Sequence, residues 1–115
     1  MKKPPTLPEL DHLTSDAPAL RRSLYNRLTY SIGKDIINAT ARDWFFSAAA
    51  VLRERMIERW METMRSYYMQ DRKRVYYLSM EFLMGRTMMN GMLNMGCEKE
   101  AREALTAMGL DIENI

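Results

Sequence analysis

The 115-residue sequence has one cysteine, Cys97, and one histidine, His12. A single cysteine excludes an internal disulfide and fits a reducing compartment. A lone histidine without ligand-type neighbours excludes the common zinc patterns. There is no Cys/His nucleophile pair and no phosphate-binding P-loop. Apolar runs are short, and none approaches the roughly 18 residues of a membrane span. The opening "MKKPPTLPEL" has lysines but no apolar stretch behind them, so it does not read as a secretory signal. Charge imbalance is small: 17 Lys and Arg against 15 Asp and Glu, a net +2, with the two signs interleaved. That argues against nucleic acid as a partner. The expectation is a soluble, cytoplasmic protein, with no membrane partner and no metal.

What is present fits a globular chain. Hydrophobic residues make up 47% and charged residues 28%. Methionine is plentiful, at 12 residues. Most of these sit at helical core spacing, so the expectation is gap-filling core rather than an exposed binding surface.

Residues 1–14 hold three prolines and no periodicity. They are expected to form a flexible tail, with residues 15–115 as the structured part. A first helix is predicted after Ser15. Leu20, Leu24, Leu28 and Ile32 recur every four residues, and Gly33 is its stop. Thr40 and Asp43 have the spacing of a capping box. They open a predicted helix from Ala41 to about Met69. Phe45, Ala49, Leu52, Met56, Trp60, Met64 and Tyr67 or Tyr68 form its apolar stripe. Arg53, Glu54, Arg55, Glu58, Arg59, Glu62 and Arg65 form a face expected to be solvated. After the polar turn "QDRKR", the stretch "VYYLSMEF" (75–82) reads as a strand apolar on both faces. "GRTMMNGMLNMG" is predicted as a helix weakened by glycine. "EKEAREALTAMG" is predicted as a firmer one, and "LDIENI" trails off.

The fold class read from these patterns is mostly α with one buried β-strand, incomplete as it stands. A helix of about 29 residues runs to roughly 43 Å. A compact domain of this size is only about 35 Å across, so the helix overhangs. A lone strand also leaves its backbone groups unpaired on both edges.

One block carries more. "YYLSMEFLMGRTMMNGMLNMG" resembles a block near the N-terminus of the α-glucan phosphorylases, the glycogen, starch and maltodextrin enzymes. "YNRLTYSIGKD", "ATARDWFFSAAAVLRERMIERW" and "SYYMQDRKRVYYLSMEFLMGR" are similar to the same family, in the same order. The likeness covers about residues 24–115, and the bacterial glycogen phosphorylases are the nearer likeness. It implies the N-terminal piece of a two-lobe, Rossmann-like α/β glycosyltransferase fold. It implies an enzyme that releases glucose 1-phosphate from α-1,4-glucans with inorganic phosphate, as a homodimer. It also implies pyridoxal phosphate on a lysine that is not among these residues. The 115-residue chain alone is therefore expected to be inactive.

The resemblance assigns roles to four residues. Glu81, at the carboxyl end of the predicted strand, either supports the catalytic cleft without being the acid catalyst or forms an ion pair with Arg86. Leu83 packs near the cofactor or is ordinary core. Trp60 and Tyr68 match positions that help bind an activating nucleotide in the animal enzymes. The glutamines that accompany them there are Met64 and Arg65 here, which favours a structural role for the two aromatics. "RRSL" places Ser23 in a basic-directed kinase context, but within a helix, where a plain structural serine is expected. A different reading of the whole chain is a free-standing helical interaction module without catalysis.

Overall fold

Two caps set the helices. Asp16 accepts a hydrogen bond at Oδ1 from the Ala19 N–H, 2.9 Å. It opens α1, Ala17–Asn26, whose first turn holds Pro18 where no helical donor is lost. The helix continues as a wider π-helical turn, Arg27–Ile32. Gly33 stops it with φ at 75°, in the left-handed region. Glycine bears that conformation without a Cβ clash. The Lys34 N–H then closes on the Leu28 carbonyl, 3.1 Å.

The second cap is reciprocal. The Thr40 N–H donates to Asp43 Oδ2 at 2.9 Å, and the Asp43 N–H donates to Thr40 Oγ1 at 3.3 Å. It opens α2, Ala41–Met69. These bonds, first that from the Thr40 backbone and then that from its hydroxyl, hold the Asp43 carboxyl below its usual value of 3.8. The cap's contribution is therefore complete above that value and is lost as pH falls below it. Replacing Thr40 by alanine removes one acceptor and is expected to cost about 1 kcal/mol, read as a shift of the urea midpoint.

The computed structural model describes residues 6–82 and 85–115. Two short helices follow α2: α3, Met88–Met95, and α4, Glu98–Thr106. α1 packs on α2 and α4, and α3 bridges α2 and α4. The core lies where they meet. Leu20, Leu24 and Leu28 face Trp44, Ala48, Val51 and Leu52 of α2, and Met92, Cys97, Ala101, Ala104 and Leu105 complete it. At Gly91 the backbone of α3 comes close to α2, and a Cβ there would sit 3.4 Å from Leu52 Cδ2. The C-terminal residues do not trail away. Asp111 organises a turn through its own carboxylate, Ile112 is buried, and Glu113 pairs with Arg102 at 3.1 Å.

The predicted strand is not there. Among the described residues there is no strand at all, and residues 75–82 run as irregular chain. Leu78 is 93% exposed and Met80 fully exposed, the reverse of burial on two sides. The expected Rossmann-like sheet is absent with it. A strand holds only if a neighbour pairs its backbone and both faces are covered. Here the large side chains of the run stand in water, so nothing covers its faces.

The overhang read from the length of α2 is real. The radius of gyration is 17.2 Å, against about 13 Å for a compact chain of this length. The buried face of α2 differs from the expected stripe. It runs Trp44, Ala48, Val51, Arg55, with Leu52 shared by both. Phe45, Met56, Trp60 and Tyr68 are exposed. The buried residues of α2 all lie between Trp44 and Arg55, where α1, its π-helical turn and α3 pack against it.

Candidate functional site: the far half of the long helix and the segment beyond it

Arg55 departs most from expectation. It belongs to the charged face of α2, yet only 2% of it is exposed. Its Nη2 and Nε donate to the Thr14 carbonyl at 2.7 and 3.0 Å. Nη1 donates to the Val51 carbonyl at 3.2 Å, and Nη2 also reaches Ser23 Oγ at 3.3 Å. A buried cation is costly unless its donors are used, and here they are. Burial still lowers the guanidinium's pKa, while Cys97, Glu58 and Asp16 act to raise it. The signal in the sequence was spacing: Arg55 comes four residues after Val51, on the row that begins at Trp44 and Ala48.

Further along the same row, α2 holds residues 8–13. The Leu13 N–H donates to Glu58 Oε2 at 2.7 Å. His12 lies 3.6 Å from Glu62, and Arg65 Nη1 donates to the Pro8 carbonyl at 2.8 Å. Ser23, the residue in the kinase-like context, is half-buried in α1 and accepts from Arg55. That fits a structural serine.

Trp60 and Tyr68 share one face of α2, two turns apart, and both are exposed. The Arg74 guanidinium lies over the Tyr68 ring, 4.3 Å from its centre, a cation–π contact. Hydrogen bonding of the guanidinium to Tyr68 first, and then to Tyr76, pushes the pKa of Arg74 up. Met64 is half-buried, and Arg65 is engaged with Pro8.

Glu81 lies beyond, on the exposed segment. Its own N–H is bonded to Ser79 Oγ at 3.1 Å. Among the described residues no ion pair joins it to Arg86. Leu83 falls outside the described residues. No hydrogen bond links Glu81 to Trp60 or Tyr68 among the described residues, so the structure does not gather these positions into one site.

Two wide grooves lie among the described residues. One, of about 970 Å³, runs between α2, α3 and the C-terminal turn, walled by Phe45, Leu52, Met56 and Met88 with Arg53 and Arg86. The other, of about 670 Å³, lies between α1 and α4 beside Arg21, Arg22 and Glu103. A pyridoxal phosphate site needs a lysine facing a closed pocket. No lysine lines either groove; Lys99 borders a third, more open hollow of about 520 Å³ on α4, and the described lysines, Lys34, Lys73 and Lys99, are all exposed. These residues do not fit that cofactor. Cys97 is buried, and burial pushes its thiol pKa up, which disfavours the thiolate. Among the described residues no cluster of three metal-ligating side chains occurs, and no described helix is long and apolar enough to cross a membrane.

Comparison with known proteins supplies what the geometry does not. No family model matches the chain. The chain is 42% identical over 100 residues to the brain form of glycogen phosphorylase from Homo sapiens, a match covering 87% of the chain and 12% of that protein. The Homo sapiens liver form is 43% identical over 96 residues, covering 84% of the chain and 11% of the relative. The muscle form from the same organism is 41% identical over 96 residues, with the same coverage. The chain thus spans about an eighth of the length of the curated relatives it matches. Along 87% of its length the chain is similar to glycogen phosphorylases, as a stretch matching about an eighth of such a protein.

Proposed function

We propose that the chain is the N-terminal portion of a glycogen or α-glucan phosphorylase. That enzyme uses inorganic phosphate to release glucose 1-phosphate from the non-reducing ends of α-1,4-glucans. The single observation that carries this reading is the 42% identity sustained over 100 residues. Pyridoxal phosphate belongs to the longer enzyme, because neither large groove of this chain offers a lysine to hold it. The glucan, the phosphate, a homodimeric partner and a cytoplasmic setting belong to it as well. Within it, these residues are scaffold and cleft wall. Glu81 is a supporting carboxylate rather than the acid, and Trp60 and Tyr68 are structural aromatics.

The test uses two proteins. The purified 115-residue chain, given glycogen and phosphate, is expected to release no glucose 1-phosphate. A longer reading frame containing it is expected to release it and to show the absorbance of bound pyridoxal phosphate. Phosphate-dependent release by the chain alone would show that it carries the catalytic groups after all. A longer product with neither absorbance nor activity would remove the enzyme reading.

A further inference from the structure

One stripe of α2 carries a second segment of the chain. Arg55, Glu58, Glu62 and Arg65 recur every three or four residues, and residues 14, 13, 12 and 8 meet them in that order. The Thr14 carbonyl sits in the fork of Arg55, between Nε and Nη2. Glu58 holds the Leu13 N–H, Glu62 lies against His12, and Arg65 holds the Pro8 carbonyl. Residues 8–14 are thus a strap laid antiparallel along about 15 Å of helix. The strap carries strain: His12 takes φ at 52°, in the left-handed region that favours glycine.

We propose that the strap is a latch for α1, with Arg55 as the group that senses it. Arg55 joins three elements: Thr14 of the strap, Ser23 of α1 and Val51 of α2. Two of its four hydrogen bonds end on the Thr14 carbonyl. None of its hydrogen-bond partners is a carboxylate, and only 2% of the residue is exposed. Release of the strap leaves a buried cation with half of its bonds, and that cost draws the guanidinium toward water. As it moves, it gives up Ser23, the neighbour of the core residue Leu24 in α1. The seam between α1 and α2 then loosens. Strap and α1 therefore share one equilibrium through one side chain. Chain connectivity alone would tie the strap only to the first turn of α1, at the Asp16 cap. The inference does not rest on the phosphorylase reading.

The test is hydrogen exchange of the 115-residue chain. Leu13→Pro releases the strap from within. It deletes the N–H that Glu58 holds and denies His12 its left-handed φ. Glu58→Ala with Arg65→Ala releases it from the side of α2. Protease cleavage within residues 8–14 reports the release. In both variants the amides of residues 20–26 in α1 are expected to exchange about tenfold faster, the effect of losing one charge-assisted bond. With Arg55→Met already in place, the same changes are expected to alter α1 exchange by less than about twofold, because methionine has no bond to lose. That contrast separates a latch from a plain loss of packing around Leu13. Exchange in α3, which packs on α2 and α4, is expected to stay within about twofold of the parent. An α1 unmoved by release of the strap overturns the proposal, since water would then have replaced the Thr14 carbonyl. So does equal acceleration with and without Arg55. So does a strap that stays uncut in both variants, because these bonds would not be what holds it.

Discussion

Truncating Arg55 to alanine is expected to lower the unfolding free energy by about 3 kcal/mol. Two effects combine. The guanidinium's hydrogen bonds to Thr14, Val51 and Ser23 disappear. A cavity also opens where a 2%-exposed side chain had been. Methionine separates the two effects. It refills most of the volume without the charge, and it removes the cost of burying a cation whose hydrogen-bond partners are all neutral. Arg55→Met is therefore expected to cost about half as much as alanine. Both values come from urea midpoints followed by circular dichroism. The alanine variant should also be cut faster by protease within residues 8–14, because Arg55 holds the Thr14 carbonyl. An alanine variant within about 0.5 kcal/mol of the parent would mean the guanidinium holds nothing in place.

Leu28→Ala is expected to cost about 3 kcal/mol, within the range for a fully buried leucine. Leu28 has no exposed surface and sits in the π-helical turn between α1 and Gly33. Its loss empties the contact between that turn and α2. A matched control exists in Leu78, which is 93% exposed. Leu78→Ala, measured at low protein concentration, is expected to change stability by less than about 0.5 kcal/mol. The pair tests the correction to the strand reading directly. If Leu78→Ala cost as much as Leu28→Ala, the segment would be buried after all.

Local signals were legible wherever a few neighbouring residues settle the outcome. The Thr40–Asp43 capping box, the stop at Gly33, the span of α2 and the leucine row of α1 all follow from short-range chemistry. Each needs only its own turn of chain to form its bonds. The candidate site was less legible. Trp60, Tyr68 and Glu81 were singled out through resemblance, and the structure leaves them exposed and unconnected among the described residues. Arg55 went unnoticed because its row of α2 mixes charged and apolar residues. Periodicity weighs charge as a sign of water, while a long side chain with enough acceptors can be buried.

By itself, then, the sequence determined where helices begin and end, how long α2 is, and the likeness to the glycogen phosphorylases. Those are properties of short windows or of order along the chain. Tertiary structure alone decided which face of α2 is covered and that Arg55 lies inside. It also decided that "VYYLSMEF" is not a strand here. Burial and strand pairing are relations between distant segments, and an apolar pattern is kept only where another element arrives to cover it. On the first half of α2 that element arrives, and along residues 75–82 the large side chains stand in water.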